Sequence, residues 1–218
     1  MTLPFTIAEF LKVFEQYNEA IWPTQVLTYL GGAAVVGVIA ARSRYAGVVA
    51  AAVLTAMWLL NGIGYHLMYF SEINRAAIAF GALFVAQGAL IAWVGFGARR
   101  LRFSMRADAA TGVALIAVAY AMVVYPLLGW TFGHVYPAAP VFGVAPCPTT
   151  IFTFGILLLA RPSAPVWLFV IPVVWSAIGG SAALLLGVRE DFGLIAAGVA
   201  AILVLMFAGR GLMERTAT

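Results

Sequence analysis

Apolar and polar positions divide the chain into one amphipathic stretch followed by seven blocks that are apolar on every side. The amphipathic stretch is LPFTIAEFLKVFEQYNEAIWP, residues 3–23. At about 100° per residue, Ile7, Phe10, Leu11, Phe14, Tyr17 and Ile21 share one helical face, with Glu9, Lys12, Glu15, Gln16 and Glu19 opposite. Thr6 and Glu9 have the spacing of a capping box, in which each side chain satisfies a backbone N–H at the helix start. Trp22 ends the segment at headgroup level and Pro23 turns the chain. This pattern predicts an interfacial helix lying on a bilayer surface, with residues 1–22 as one unit and 23–218 as a transmembrane domain. Asn18 breaks the pattern, because it falls on the apolar face.

The seven blocks are 24–41, 46–70, 74–97, 109–128, 142–160, 164–187 and 192–212. Most reach the length of about 20 residues that crosses a hydrocarbon core of roughly 30 Å. The fifth is irregular: its unbroken part, TTIFTFGILLLA, gives only about 18 Å of helix, so a re-entrant half-helix is the alternative. Arginine sidedness decides between the two. With seven crossings, Arg42, Arg44, Arg99, Arg100, Arg102, Arg106, Arg161, Arg210 and Arg215 share one side, and Lys12, Arg75 and Arg189 the other. A re-entrant fifth segment divides the twelve seven against five. The expected fold is therefore all-α and polytopic, with seven transmembrane helices after an N-terminal interfacial helix and a fifth span broken by proline. The N-terminus is outside and the C-terminus in the cytoplasm.

Composition agrees with a bilayer as the principal partner. The chain is 64% hydrophobic and 9% charged, where soluble domains carry about 25% charged residues. A net charge of +4 does not indicate nucleic acid, because the basic residues sit in short clusters between apolar blocks. One cysteine excludes an internal disulfide and every CxxC arrangement. Small residues at four-residue spacing, Ala33, Gly37, Ala41 and Gly179, Ala183, Gly187, are expected to let helices approach closely.

In this topology six of the eight acids, Glu9, Glu15, Glu19, Glu72, Glu190 and Asp191, lie on the outer side with both histidines and the cysteine. Polar groups near hydrocarbon cost several kcal/mol unless paired or wetted, so the outer half is where a site is expected. The most distinctive piece is APCPTT. Pro146 and Pro148 flank Cys147, which predicts irregular backbone there, freed carbonyls, and a helix restarting at Thr149 or Thr150 as cap. Transporters aim such broken helices at solutes or ions. The competing reading is that the prolines merely end a loop and Cys147 is a small buried hydrophobe.

His66 sits one turn below the outer end of the second block, either as an interfacial ring bonded to backbone or water, or facing His134. Asn61, Gln87 and Ser176 could extend a polar path inward, or serve as interhelical hydrogen bonds. The candidate solute- or ion-binding set is Glu19, Asn61, His66, His134, Cys147 and Thr149. A soft thiolate beside imidazoles suits Cu(I), Zn or Hg(II), which makes His66, His134 and Cys147 the candidate ligands of a transition metal. The functional expectation is a small transporter, or a solute- or metal-binding membrane protein, with its site on the extracytoplasmic side. The alternatives are a membrane enzyme using Cys147 with His134 as base, and a non-catalytic subunit of an oligomer or complex. No HExxH motif is present, and Lys12, outside the bundle, is the sole lysine, so a retinal Schiff base has no partner in the usual place.

YNEAIWP (17–23), NGIGYH (61–66) and PCPTTIFTFG (146–155) resemble recurring segments of an uncharacterised family of bacterial multi-pass inner-membrane proteins. The resemblance extends over most of the chain. It implies an inner-membrane location and no particular activity.

Overall fold

The computed structural model describes residues 4–98 and 101–216, with side chains to residue 207. Arg99 and Arg100, and the side chains of Arg210 and Arg215, lie outside the described residues. The described chain is helical, apart from loops and a lone antiparallel bridge between Phe103 and Ala160. Its helices are α1 (Ile7–Ala20), α2 (Thr24–Ala40), α3 (Ala46–Leu59), α4 (Ala77–Ala92), α5 (Ala109–Ala119), α6 (Tyr125–Thr131), α7 (Pro146–Leu158), α8 (Val170–Leu186) and α9 (Phe192–Thr216). Wide π turns continue α3 through Leu60–Tyr69, α4 through Trp93–Gly97, and join α5 to α6 through Tyr120–Val124.

Five continuous stretches are long and apolar enough to cross a membrane: Ala46–Glu72, Ala77–Gly97, Ala109–Thr131, Val166–Leu186 and Arg189–Phe207. A sixth is obtained if α1 and α2, which meet at 85°, count as one bent span. The helix of the expected fifth span, α7, has only 13 residues.

The capping box forms as the sequence predicts. The Thr6 amide donates to Glu9 Oε2 at 2.7 Å and the Glu9 amide to Thr6 Oγ1 at 3.2 Å. The buried face of α1 is centred on Val13, Phe14, Tyr17 and Asn18, and Ile7, placed on the apolar face by periodicity, is exposed. Phe14 stacks on Tyr65 with ring centroids 4.7 Å apart, and Tyr17 donates to the Leu60 carbonyl at 3.3 Å. α1 therefore lies across the Tyr65 end of α3 and its extension.

Helix α7 occupies the centre. Every one of its residues is buried except Cys147, which is half-buried. A helix enclosed on all sides needs no polar stripe, which is why this segment has no amphipathic period. Gly155 allows α5 to approach, since a Cβ there would lie 2.8 Å from the Ala114 carbonyl oxygen. The expectation that helix resumes only at Thr149 or Thr150 is corrected: α7 starts at Pro146, with Ala145 as N-cap. The first amides of a helix have no intrahelical acceptor, so proline rings at its first and third positions remove nothing the helix uses. The threonine hydroxyls turn back instead, Thr150 to the Pro146 carbonyl and Thr153 to the Thr149 carbonyl, both at 2.8 Å.

The small-residue ridges also differ from expectation. Gly179 packs toward Leu194 of α9, but Ala33 and Gly37 are exposed and Gly187 is the left-handed C-cap of α8.

The helices run end to end, which gathers two opposite groups of residues. At one end Arg161 donates to both Asp108 carboxylate oxygens at 3.1 Å and to the Leu158 carbonyl at 2.7 Å, while Trp93 stacks on Trp167. Asp108 in turn N-caps α5 by accepting from the Thr111 amide at 2.8 Å. At the other end are α1, the Phe70 turn, the 132–145 segment and the Arg189–Asp191 turn.

Candidate functional site

Between α6 and α7 the 137–145 segment enters the bundle as a run of turns and bends, burying Phe142, Val144 and Ala145. Such backbone at depth leaves carbonyls that must find donors. Four of them do. Asn18 Nδ2 donates to the Pro137 and Ala139 carbonyls at 2.7 and 2.8 Å, Thr28 to Phe142 at 2.9 Å, and Asn61 Nδ2 to Gly143 at 3.2 Å. The misplaced polar residue of α1 is therefore a strut, and the freed carbonyls expected to face a cation are consumed by the protein itself. The helix-break amides are likewise poor anion donors, since two of the first three positions of α7 are proline.

Beneath this strap lies a cavity of 290 Å³. Phe5, Phe10 and Phe14 of the amino-terminal segment form one wall, α8 from Trp175 to Leu186 another, and the end of α3 a third. Its polar groups are few. His66 is fully buried inside a cage of rings, with Phe84, Trp175 and Tyr65 centroids at 4.8, 5.1 and 5.1 Å, and neither ring nitrogen has a hydrogen-bond partner in the protein. Tyr65 Oη and Trp175 Nε1 are also buried and unpartnered. Asp191 and Cys147 complete the polar side, and Asp191 Oδ1 accepts from Tyr125 Oη at 2.5 Å. The arrangement can receive a mostly hydrocarbon molecule and bind one polar head.

A second cavity of 270 Å³ adjoins it, with Tyr125 and Pro140 lining both. His134 belongs here, its Nδ1 2.5 Å from Glu190 Oε1.

The candidate residues therefore separate. His66 and Cys147 share the first cavity. Asn61 and Thr149 meet at 3.2 Å, as a hydrogen bond between the extension of α3 and α7. Glu19 is exposed in the last turn of α1 and lines neither cavity. The set His66, His134 and Cys147 is not assembled, because Glu190 holds His134 in the other cavity. Among the described residues no group of three or more His, Cys, Asp or Glu side chains is placed to hold a metal ion. Gln87 and Ser176 form no inward path: Gln87 donates to the Leu168 carbonyl at 2.8 Å and Ser176 to the Pro172 carbonyl at 3.0 Å.

Sequence reasoning did not select Tyr65, Tyr125, Trp175 or Asp191. Tyr65 carried a signal in its adjacency to His66, and Asp191 in being one of two consecutive acids in a turn between apolar helices.

One family model, described as a family of unknown function (DUF6064), matches residues 7–215. The chain belongs to that family. No curated protein and no solved structure matches it. The family match contains the strap, the whole lining of the second cavity and all three segments that carried the resemblance, and of the first cavity's lining only Pro4 and Phe5 lie outside it.

Proposed function

We propose that this DUF6064 protein is a solute-binding membrane protein whose 290 Å³ cavity holds a small amphipathic molecule. One observation carries the reading: the Tyr65 hydroxyl, the Trp175 N–H and both His66 nitrogens are buried around an otherwise hydrocarbon cavity without partners in the protein. A buried unsatisfied group costs about 1–3 kcal/mol, so such a set is sustained by a ligand that satisfies it. Those atoms supply three donors and one acceptor, with Asp191 beside them. A neutral hydroxyl head meets both needs, since it accepts and donates, whereas a carboxylate head would be repelled by Asp191.

The reading includes a topology of seven crossings, with the cavity in the outer half, α1 on the outer surface and the Arg161 end in the cytosol of a bacterial inner membrane. The end-to-end alternation of the helices and the clustering of arginine opposite the acids support it. α7 crosses as a short helix completed by the 137–145 strap, its backbone shielded from lipid by its neighbours.

The test uses protein reconstituted in lipid nanodiscs and its thermal unfolding midpoint with octanol, octanoate and octylammonium. Octanol is expected to raise the midpoint saturably, and octanoate to do so least. Ala182→Phe, which extends a ring into the cavity, abolishes the octanol effect. His66→Phe removes two orphaned nitrogens and weakens octanol binding while leaving ligand-free stability unchanged or higher by about 1 kcal/mol. An octanol response that survives Ala182→Phe and His66→Phe would sink the proposal.

A further inference from the structure

The second cavity presents a different chemistry. Glu190 is fully buried in the Arg189–Asp191 turn, which Tyr120 fixes by donating to the Glu190 backbone carbonyl at 2.8 Å. Its Oε1 contacts His134 Nδ1, while its Oε2 has no partner in the protein. The neighbouring guanidinium does not serve it, because Arg189 lies over the Phe132 ring, 5.3 Å from the centroid. Among the described residues no lysine or arginine lines the cavity. Its remaining walls are largely aromatic, from Tyr29, Tyr125, Trp130 and Tyr136.

From this we infer that the 270 Å³ cavity is a binding site for a small organic ammonium ion, with Glu190 as its counter-charge and the aromatic rings as its cage. An anion is repelled by Glu190 and by Asp191 next to it. A neutral molecule brings no positive charge to balance the buried carboxylate. A hard metal ion needs about six oxygen ligands, and this wall supplies one carboxylate oxygen, Tyr125 Oη being already committed to Asp191. An alkylated ammonium needs none of these. It is held by ring faces and a single carboxylate, the combination that recognises quaternary ammonium groups.

The experiment measures tetramethylammonium binding to nanodisc-held protein by calorimetry, with tert-butanol as a neutral molecule of similar shape and sodium chloride at equal ionic strength. Tetramethylammonium is expected to bind saturably, with little binding of the other two. Glu190→Gln is expected to weaken it about tenfold, equivalent to about 1.4 kcal/mol. Trp130→Ala changes a residue 69% exposed, so folding is not at risk, and removing its ring is expected to weaken binding about threefold. Equal affinity for tert-butanol, tetramethylammonium binding undiminished in both variants, or none by folded protein overturns the assignment. The octanol response of the first cavity should persist in Glu190→Gln. Its loss from wild type with ammonium binding intact would remove the first reading and leave this one.

Discussion

Asn18 and Asn61 do the same job from different helices, offering side-chain amides to carbonyls of the 137–145 strap. Replacing Asn18 by Leu keeps the volume and strands two part-buried acceptors, with a loss of about 1–2 kcal/mol expected in denaturant unfolding in detergent. Asp108 acts at the opposite end. The Thr111 amide first, and the Arg161 guanidinium with it, hold its carboxyl below the usual carboxylate range. Because the folded value is the lower one, its contribution is complete above the unfolded pKa of about 3.9 and is lost as pH falls through the folded value. Asp108→Asn retains a capping side chain but not the charge. It should flatten that acid limb in a pH series of unfolding midpoints, and a limb unchanged from wild type would show that Asp108 does not cause it. Asn18 was legible in the sequence as a polar residue on an apolar face. Tyr65 and Trp175 were not, since aromatic residues at the end of an apolar block are ordinary interfacial anchors and only packing shows which lose their partners.

At the level of elements, the amphipathic helix and its cap were readable because local spacing determines them. α7 was readable only as an anomaly. Two prolines around Cys147 predict a break in the helix, yet they occupy the turn in which backbone amides are spare. Its length falls short of a span, and the 137–145 strap that precedes it has no regular period to detect. The close approach of α5 and α7 depends on Gly155, where a Cβ would lie 2.7 Å from Val118 Cγ2 and 2.8 Å from a backbone oxygen. Gly155→Leu is therefore expected to destabilise the protein by about 1–3 kcal/mol or more, through forced separation of the helices. Gly155→Ala should fall between it and wild type in the same thermal assay. Gly143 in the strap combines a φ of +80° with a would-be Cβ 2.4 Å from Thr28, so its backbone path is open only to glycine.

For the whole molecule, residue types separated in sequence are sorted to two poles by the alternation of helices. Arginine counting puts Arg161 and Arg189 at opposite ends, and the structure does the same. Whether polar groups at one pole converge was not legible, because rotation of each helix about its own axis is set by packing. That is how His66 and His134 came to line different cavities. With seven crossings, reporter tags fused to the two termini should be found in opposite compartments. Tags on the same side would require an even number of crossings and would dismantle the common outer pole.

The Asn18 strut also has a temporal side. Its acceptors, Pro137 and Ala139, are made more than a hundred residues after it, once α2 to α6 have been synthesised. The first helix must therefore wait at the surface without its anchor during much of synthesis. The Phe5, Phe10 and Phe14 wall needs nothing beyond Phe70, so the late event of assembly is the seating of the strap on Asn18.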